Sequence, residues 1–415
     1  MIGIEDVHKA TEAVYRVAQP TPLLHSASLS ERFGGQIYLK AECLQHTGSF
    51  KPRGAAAKIA SLTVAELKRG VITASAGNHA QGVAVAARAF GTLATVVMPE
   101  QATLAKIQAT RGYGAQVILH GAGFSEAVAK AQELSKLGDA VFIPAYDDEK
   151  VIAGQGSVGL EIAADLAGAE LVLVPVGGGG LISGVALALK ALIPEVKVIG
   201  VQASAAPGVA NSLRRGRVTK ATPRPTLADG VAVPGPGLKT LPLIRRYVDE
   251  IVTVEEEDIG QAVVLLLERT RLVAEGAGAL GVAALLSGKV EIQGRRTVVA
   301  VSGGNIDVNV LASVVQHGLL HEGRYLTMVI DLDDKPGALA ALLSLIASKG
   351  ANVLNVDHNR QGIHLPLRGV EVRLLLETRD AAHIDELTAA MVAAGYKLTH
   401  SSATARSFRP GGWLA

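Results

Sequence analysis

Four short stretches hold residue types whose order and spacing suit covalent chemistry on a small molecule. The first is Thr47-Gly48-Ser49-Phe50-Lys51-Pro52-Arg53-Gly54-Ala55, a lysine set among small residues and a proline instead of on a charged helix face. A lysine that attacks an aldehyde must first be neutral, and partial burial lowers its pKa towards that state. Phe50 stands next to it and is suited to covering a flat ring. The second, Ser75-Ala76-Gly77-Asn78-His79, lies between an apolar run and a helix-period segment. A loop of that kind turns main-chain N–H groups and short polar side chains towards a carboxylate at a helix N-terminus. The third, Gly177-Gly178-Gly179-Gly180-Leu181, permits close backbone approach, so several N–H groups and the helix dipole hold a phosphate without a cationic side chain. The fourth, Val301-Ser302-Gly303-Gly304-Asn305, offers a hydroxyl at a strand end. Each has a plainer reading when taken alone: a lysine in an exposed loop, helix capping by Ser75 or Asn78, a tight strand-to-helix turn at the glycines, and a helix start at Ser302.

The glycine run argues against two nucleotides. No Lys-Ser or Lys-Thr pair follows it, as a phosphate-binding NTPase loop requires, and no register fits G-x-G-x-x-G because Ile182 or Ser183 falls at the last glycine. The residue after the apolar run Val196 to Val201 is Gln202, not the acid that grips an NAD ribose. ATP and NAD are both disfavoured. At Ser302 a hydroxyl facing a ring nitrogen leaves that nitrogen neutral, whereas an aspartate would hold it protonated. A neutral pyridine is the weaker electron sink and suits elimination with a β-leaving group.

The elements that must position these residues follow from periodicity. From Val71 to Val176, short β-branched runs alternate with Ala-rich helical segments, the pattern of βαβ units in a parallel sheet. Val71–Ala74, Thr95–Met98, Gln116–His120 and Val141–Pro144 read as strands of one sheet, with a helix over Ala80–Phe90. Leu171–Val176, Val196–Val201 and Thr297–Val301 have the apolar character of strands covered on both faces, and a helix after the glycines reaches Ile193. Two doubly wound α/β layers follow, and small ligands sit outside the carboxyl ends of such strands. Beyond about His321 the order becomes strand Tyr325–Leu332, turn Asp333-Asp334-Lys335-Pro336-Gly337, helix Ala338–Ser348, strands Asn352–Arg360 and Glu371–Thr378, helix Ala381–Ala394 and a strand near Lys397. That is the βαββαβ order of a ferredoxin-like unit.

Composition narrows the class. The 415 residues exceed one ordinary core, and 49% hydrophobic against 19% charged residues, with no apolar run of roughly 20, reads as a soluble globular chain without a membrane span. A net charge of +2, from 40 basic and 38 acidic residues mixed along the chain, gives no nucleic-acid surface. One cysteine, Cys43, excludes an internal disulfide framework and leaves too little thiolate for a structural zinc or iron–sulfur site. Met1 to Ala10 carries acids and a histidine where a signal peptide needs a basic and then an apolar stretch, so a cytoplasmic location is expected.

Taken together, Ser-Phe-Lys-x-Arg-Gly-Ala, Ser-Ala-Gly-Asn-His, Gly-Gly-Gly-Gly-Leu, Glu275-Gly276-Ala277-Gly278-Ala279 and Ser-Gly-Gly-Asn occur in an order that resembles the threonine dehydratase group of enzymes dependent on pyridoxal 5′-phosphate (PLP), which includes serine racemase. The resemblance implies the fold-type II, tryptophan synthase β-like fold of two open-sheet layers: residues 1–43 and 149–318 as a large PLP-binding domain and 44–148 as a small catalytic one. The ending is similar to an ACT regulatory domain, over 325–400, after a linker at 319–324 and before a tail at 401–415. By this resemblance Lys51 binds PLP and removes the Cα proton, Phe50 packs on the ring and Asn78 bonds the ring hydroxyl. Gly177, Gly178, Gly179, Gly180 and Leu181 take the phosphate, Ser302 faces the ring nitrogen, Ser75, Ala76, Gly77, Asn78 and His79 hold the substrate carboxylate, and Glu275 lines the pocket. The implied reaction removes water and ammonia from L-threonine to give 2-oxobutanoate, with L-serine giving pyruvate, in isoleucine biosynthesis or threonine catabolism.

Neighbouring activities fit less well. Racemisation of serine needs a second base where this chain has Ala76, and a methyl group moves no proton. The racemase-type divalent site needs carboxylates where Gln202, Ala203, Ser204, Ala205 and Ala206 stand, so no metal is expected. Cysteine synthase-like enzymes continue the lysine loop with Asp-Arg, unlike Pro52-Arg53-Gly54-Ala55. A non-catalytic amino acid sensor on the same scaffold would not need Lys51; visible absorbance abolished by borohydride separates the two. The ACT-like ending implies side-by-side pairing of subunits into a homo-oligomer, dimer or tetramer, with an isoleucine or valine effector near Asp334-Lys335-Pro336-Gly337 and Asn352 to Asp357. Oligomerisation without an effector is the simpler role.

Overall fold

A computed structural model describes residues 2–138, 140–360 and 369–401. The chain divides into two compact units, Met1–Asp307 and Val308–Ala415. Along the first run strands β1 (Leu23–His25), β2 (Gln36–Ala41), β3 (Val71–Ala74), β4 (Ala94–Met98), β5 (Gln116–Leu119), β6 (Val141–Phe142), β7 (Leu171–Pro175), β8 (Lys197–Ala203), β9 (Glu250–Val254) and β10 (Arg296–Val301). Six of them form one sheet in the order β1-β2-β10-β7-β8-β9, and four form a second, β5-β4-β3-β6. All pairs are parallel except β1 with β2.

Parallel strands need crossover helices on their faces, which is why β7 and Val298–Val301 of β10 are apolar throughout. The helix Gly180–Leu192 packs Leu181, Ile182, Val185 and Leu189 on Val172, Val174 and Val198. The smaller sheet has an alanine-rich cover: Ala55, Ala56 and Ile59 of the helix Lys51–Ala60 share a core with Val83, Ala84 and Ala87 of the helix Asn78–Ala89 and with Val96 and Met98. The helix Lys51–Ala60 also packs tightly on the helix Glu149–Asp165. A Cβ at Gly54 would lie 2.8 Å from Val151 Cγ1, and one at Gly154 would lie 2.5 Å from the Arg53 carbonyl oxygen.

Three strands escaped the sequence reading. β1 is only three residues long, β2 contains Lys40, whose side chain is fully buried, and β9 is a half-exposed edge. β8 runs two residues beyond the expected Val201, because Gln202 and Ala203 pair with Thr253 and Val254 of that unforeseen β9. Gln202 therefore lies inside the strand, where its buried amide donates to the carbonyls of Val176 and Ala206.

The second unit begins with the helix Val308–His321, which covers the first three residues of the expected 319–324 linker. It continues through β11 (Tyr325–Asp333), β12 (Asn352–Asn359), β13 (Gly369–Glu377) and β14 (Lys397–Ser401), with helices Ala338–Ser348 and Ala381–Ala393 between them. The four strands form one antiparallel sheet in the order β12-β13-β11-β14. Alternate residues Leu326, Met328 and Ile330 of β11 and Val372 and Leu374 of β13 turn to the core shared with Leu342, Ile346 and Leu387 of the helices. Apart from Ser401, the expected tail lies outside the described residues. Among the described residues no helix is long and apolar enough to cross a membrane.

Candidate active site

The carboxyl ends of β3, β7 and β10 open on a cavity of about 430 Å³ in the first unit. Lys51 reaches its wall from N1 of the helix Lys51–Ala60, with Pro52 behind it at a position where a missing N–H costs nothing. The loop before it is stitched to the loop after β10. Phe50 N donates to Ser302 O at 3.2 Å, Gly304 N donates to Gly48 O at 2.9 Å, and Ser49 forms a β-bridge with Gly303. The Lys51 ammonium lies 5.0 Å from the centre of the Phe50 ring and makes no ion pair among the described residues. Desolvation pulls its pKa down to about 8, against a smaller upward pull from Glu275.

Ser75, Ala76, Gly77, Asn78 and His79 follow β3 and line the same cavity. Asn78 starts the helix and is held at both ends of its amide: Nδ2 donates to Glu275 Oε1 at 2.7 Å, while Oδ1 accepts from Asn305 Nδ2 at 2.7 Å. Asn305 Nδ2 also donates to Thr47 O at 2.7 Å, which ties three of the four stretches together. His79 is buried with Nε2 3.0 Å from the Ile143 carbonyl. Burial first, and then the nearby Lys51 charge, push its pKa down to about 3, so the ring is neutral and the carbonyl sets Nε2 as the donor. Glu275 precedes the helix Gly276–Leu286 at 6% exposure. Burial raises its pKa to about 7, helped by the charge of Asp229, so both protonation states are present at neutral pH.

Gly177, Gly178, Gly179, Gly180 and Leu181 also line the cavity. Gly179 has φ +93°, a left-handed geometry that favours glycine. A Cβ at Gly177 would lie 3.0 Å from Val231 Cα, one at Gly180 would lie 2.9 Å from Tyr146 Cβ, and one at Gly178 would run into the Tyr146 ring. Thr240 fixes the turn, its Oγ1 donating to Gly178 O at 2.7 Å and accepting from Gly237 N at 2.8 Å. Ser302, at 3% exposure, completes the cavity from the end of β10.

The structure thus brings every residue expected to hold the cofactor or the substrate onto the lining of one cavity. Tyr146 and Asn305 join them on the lining, as do Lys106 and Asp229, an ion pair 3.2 Å apart, while Thr240 braces the glycine turn. Asn305 stood inside a recognised motif without a role of its own. Tyr146 and Thr240 carry no local signal, because only the folded chain brings them to the glycines. Among the described residues no group of three or more His, Cys, Asp or Glu side chains is arranged to hold a metal ion.

Residues 14–304 match the sequence profile of the family described as pyridoxal-phosphate dependent enzyme. The chain belongs to that family. As a PLP-dependent enzyme it is 51% identical over 398 residues to the L-threonine ammonia-lyase of Thermotoga maritima, covering 96% of this chain and 99% of that one. It is 46% identical over 315 residues to the catabolic L-threonine dehydratase of Escherichia coli (strain K12), covering 75% of this chain and 96% of the relative. The processed form of threonine deaminase isoform 2 from Solanum lycopersicum superposes with a TM-score of 0.71 at 38% identity, covering 75% and 93% of the two chains. The fold is the α/β fold of fold-type II PLP enzymes. The cavity meets what the cofactor requires. It has bare backbone at Gly177 to Gly180, where a Cβ would press on Val231, Tyr146 or Ile244, and an amine at Lys51 whose pKa burial lowers to about 8, both on the lining of one space.

Proposed function

We propose that this enzyme removes water and ammonia from L-threonine to give 2-oxobutanoate, and that the same cavity converts L-serine to pyruvate. The observation that carries the reading is Lys51, a desolvated amine that lines one cavity with a loop of bare glycine backbone, in a chain akin to threonine ammonia-lyases. PLP, when bound, supplies the electron sink that accepts the Cα bonding pair. Lys51 would hold it covalently through Nζ, and the same amine is the base placed to take the Cα proton. The N–H groups of Gly177 to Leu181 would bind its phosphate, Phe50 would cover its ring, and Ser302 would give its hydroxyl to the ring nitrogen. Asn78, oriented by Glu275 and Asn305, has one amide hydrogen left for the ring hydroxyl. The backbone of Ser75 to His79 holds the substrate carboxylate. Loss of the β-hydroxyl as water releases an enamine, which tautomerises and hydrolyses in solution to the keto acid and ammonia.

In this reading the small layer, 44–148, and the large layer, 1–43 with 149–318, close on the substrate between them. The C-terminal unit is an ACT-like regulatory domain that binds isoleucine or valine, the enzyme is a homo-oligomer, and it works in the cytoplasm. The test is a coupled assay for 2-oxobutanoate and pyruvate with L-threonine, L-serine and their D-forms. Wild type is expected to turn over both L-forms, and Lys51→Ala neither, with a rate loss of at least about a thousandfold. Interconversion of the serine enantiomers without keto acid would overturn it.

A further inference from the structure

Two residues beyond Lys51, on the same first helical turn, Arg53 points the other way. Positions i and i+2 of an α-helix are separated by about 200° of rotation, so a lysine directed to the cavity sends Arg53 into the opposite side. There Arg53 is fully buried, and every N–H of its guanidinium has an acceptor. Nε and Nη2 grip the two oxygens of Glu42 at 2.8 Å each, while Nη1 and Nη2 reach the two oxygens of Glu161 at 2.5 and 2.9 Å. Nη1 also donates to Ser157 Oγ at 3.0 Å, and Nη2 to Gln19 O at 3.2 Å. Lys40, fully buried too, balances the second carboxylate at 2.8 Å from Glu161 and donates to Thr21 O at 2.6 Å.

All these partners belong to the large layer: Lys40 is in β2, Glu42 follows it, Ser157 and Glu161 are on the helix Glu149–Asp165, and Gln19 and Thr21 precede β1. The backbone just before the lysine is bonded to the same layer through Ser302 and Gly303. On its other side the helix Asn78–Ala89 packs closely, and a Cβ at Gly82 would be 2.9 Å from Lys51 C. A buried quartet of charges is expensive to desolvate, and its worth lies in the geometry it imposes.

We infer that Arg53 is a positioning residue that locks the first turn of its helix to Glu42, Glu161 and Lys40, so that Lys51 is held in fixed register with the six-stranded sheet. Rotation that pulled the guanidinium out of its two carboxylates would swing the Lys51 amine off the cavity wall. The inference rests on Lys51 as the cofactor lysine, not on which amino acid is turned over.

The test compares Arg53→Lys and Glu42→Gln with Ile162→Val, a core change on the helix Glu149–Asp165 that leaves the quartet intact. The first readout is the rate at which PLP added to apo protein becomes trapped on Lys51 by borohydride, located by peptide mass; the second is kcat and KM for L-threonine. Well below each Tm, Arg53→Lys and Glu42→Gln are expected to slow trapping and lower kcat by about tenfold or more with KM held within about threefold. Ile162→Val is expected to lower Tm and change neither rate. The inference is overturned if the quartet variants lose only Tm, as Ile162→Val does; should Arg53→Lys not fold, Glu42→Gln, which keeps the guanidinium on Glu161, decides alone. Wild type trapped on another lysine also overturns it, whereas trapping on Lys51 without threonine turnover removes only the proposed substrate and leaves the trapping comparison to decide.

Discussion

Lys51 is set apart from the other lysines by where its proton sits. With its pKa lowered to about 8, roughly a tenth of the amine is neutral at pH 7, against roughly one part in three thousand at the ordinary value of 10.5. Only the neutral amine attacks an aldehyde, so loading of PLP onto Lys51 should rise through a midpoint near pH 8 and level off above it. Glu275 raises the lysine's pKa when charged, so Glu275→Gln removes that pull and should move the midpoint to lower pH. Stopped-flow absorbance of cofactor loading against pH measures both; an upward shift, or no midpoint below pH 10, contradicts the assignment. The lysine was legible because a proline and small neighbours mark a helix start that is not a charged face. The link from Asn305 to Asn78 was not, since it joins positions 227 apart in sequence. Nor was Arg53 legible as more than a motif letter: its two carboxylate partners, Glu42 and Glu161, and Lys40 beside them meet only after β2 and the helix Glu149–Asp165 come together.

At the scale of elements, the strand-to-turn-to-helix unit β7, Gly177–Gly180, Gly180–Leu192 is the part most constrained by bare backbone. Gly178→Ala drives a methyl group into the Tyr146 ring. It should weaken PLP affinity by about tenfold, the scale of a 1–3 kcal/mol overpacking penalty, while kcat at saturating PLP changes less. Fluorescence titration of apo protein with PLP checks this, and an unchanged affinity would mean that Tyr146 yields without disturbing the turn. The same element explains why the parallel strands were readable. Buried on both faces, β7 and the Val298–Val301 stretch of β10 are apolar at every position, and the glycines punctuate their ends. β1, β2 and β9 lack that signature because each sits at or beside the edge of the larger sheet, where one face or one end meets solvent or a polar cluster. Tertiary pairing, not local propensity, makes them strands.

For the whole molecule, the two compact units raise the question of what the second contributes. The Escherichia coli relative is matched over 96% of its length by only 75% of this chain, so a complete relative of this family extends little beyond the equivalent of the first unit. The first unit also contains the cavity entire, from Phe50 to Asp307. A chain ending at Asp307 should therefore fold, bind PLP and retain threonine turnover within about threefold of the full chain, as expected of a unit with its own core. What it should lose is any response to isoleucine or valine, because coupling between two sites requires both to be present. Initial rates of the full and shortened chains, each with and without the two amino acids, separate the contributions. An identical effector response in the shortened chain places the effector site in the first unit and ends the regulatory reading of the ferredoxin-like unit. Loss of turnover on removal, with the effectors silent in the full chain, would instead make that unit a structural requirement of the catalytic one.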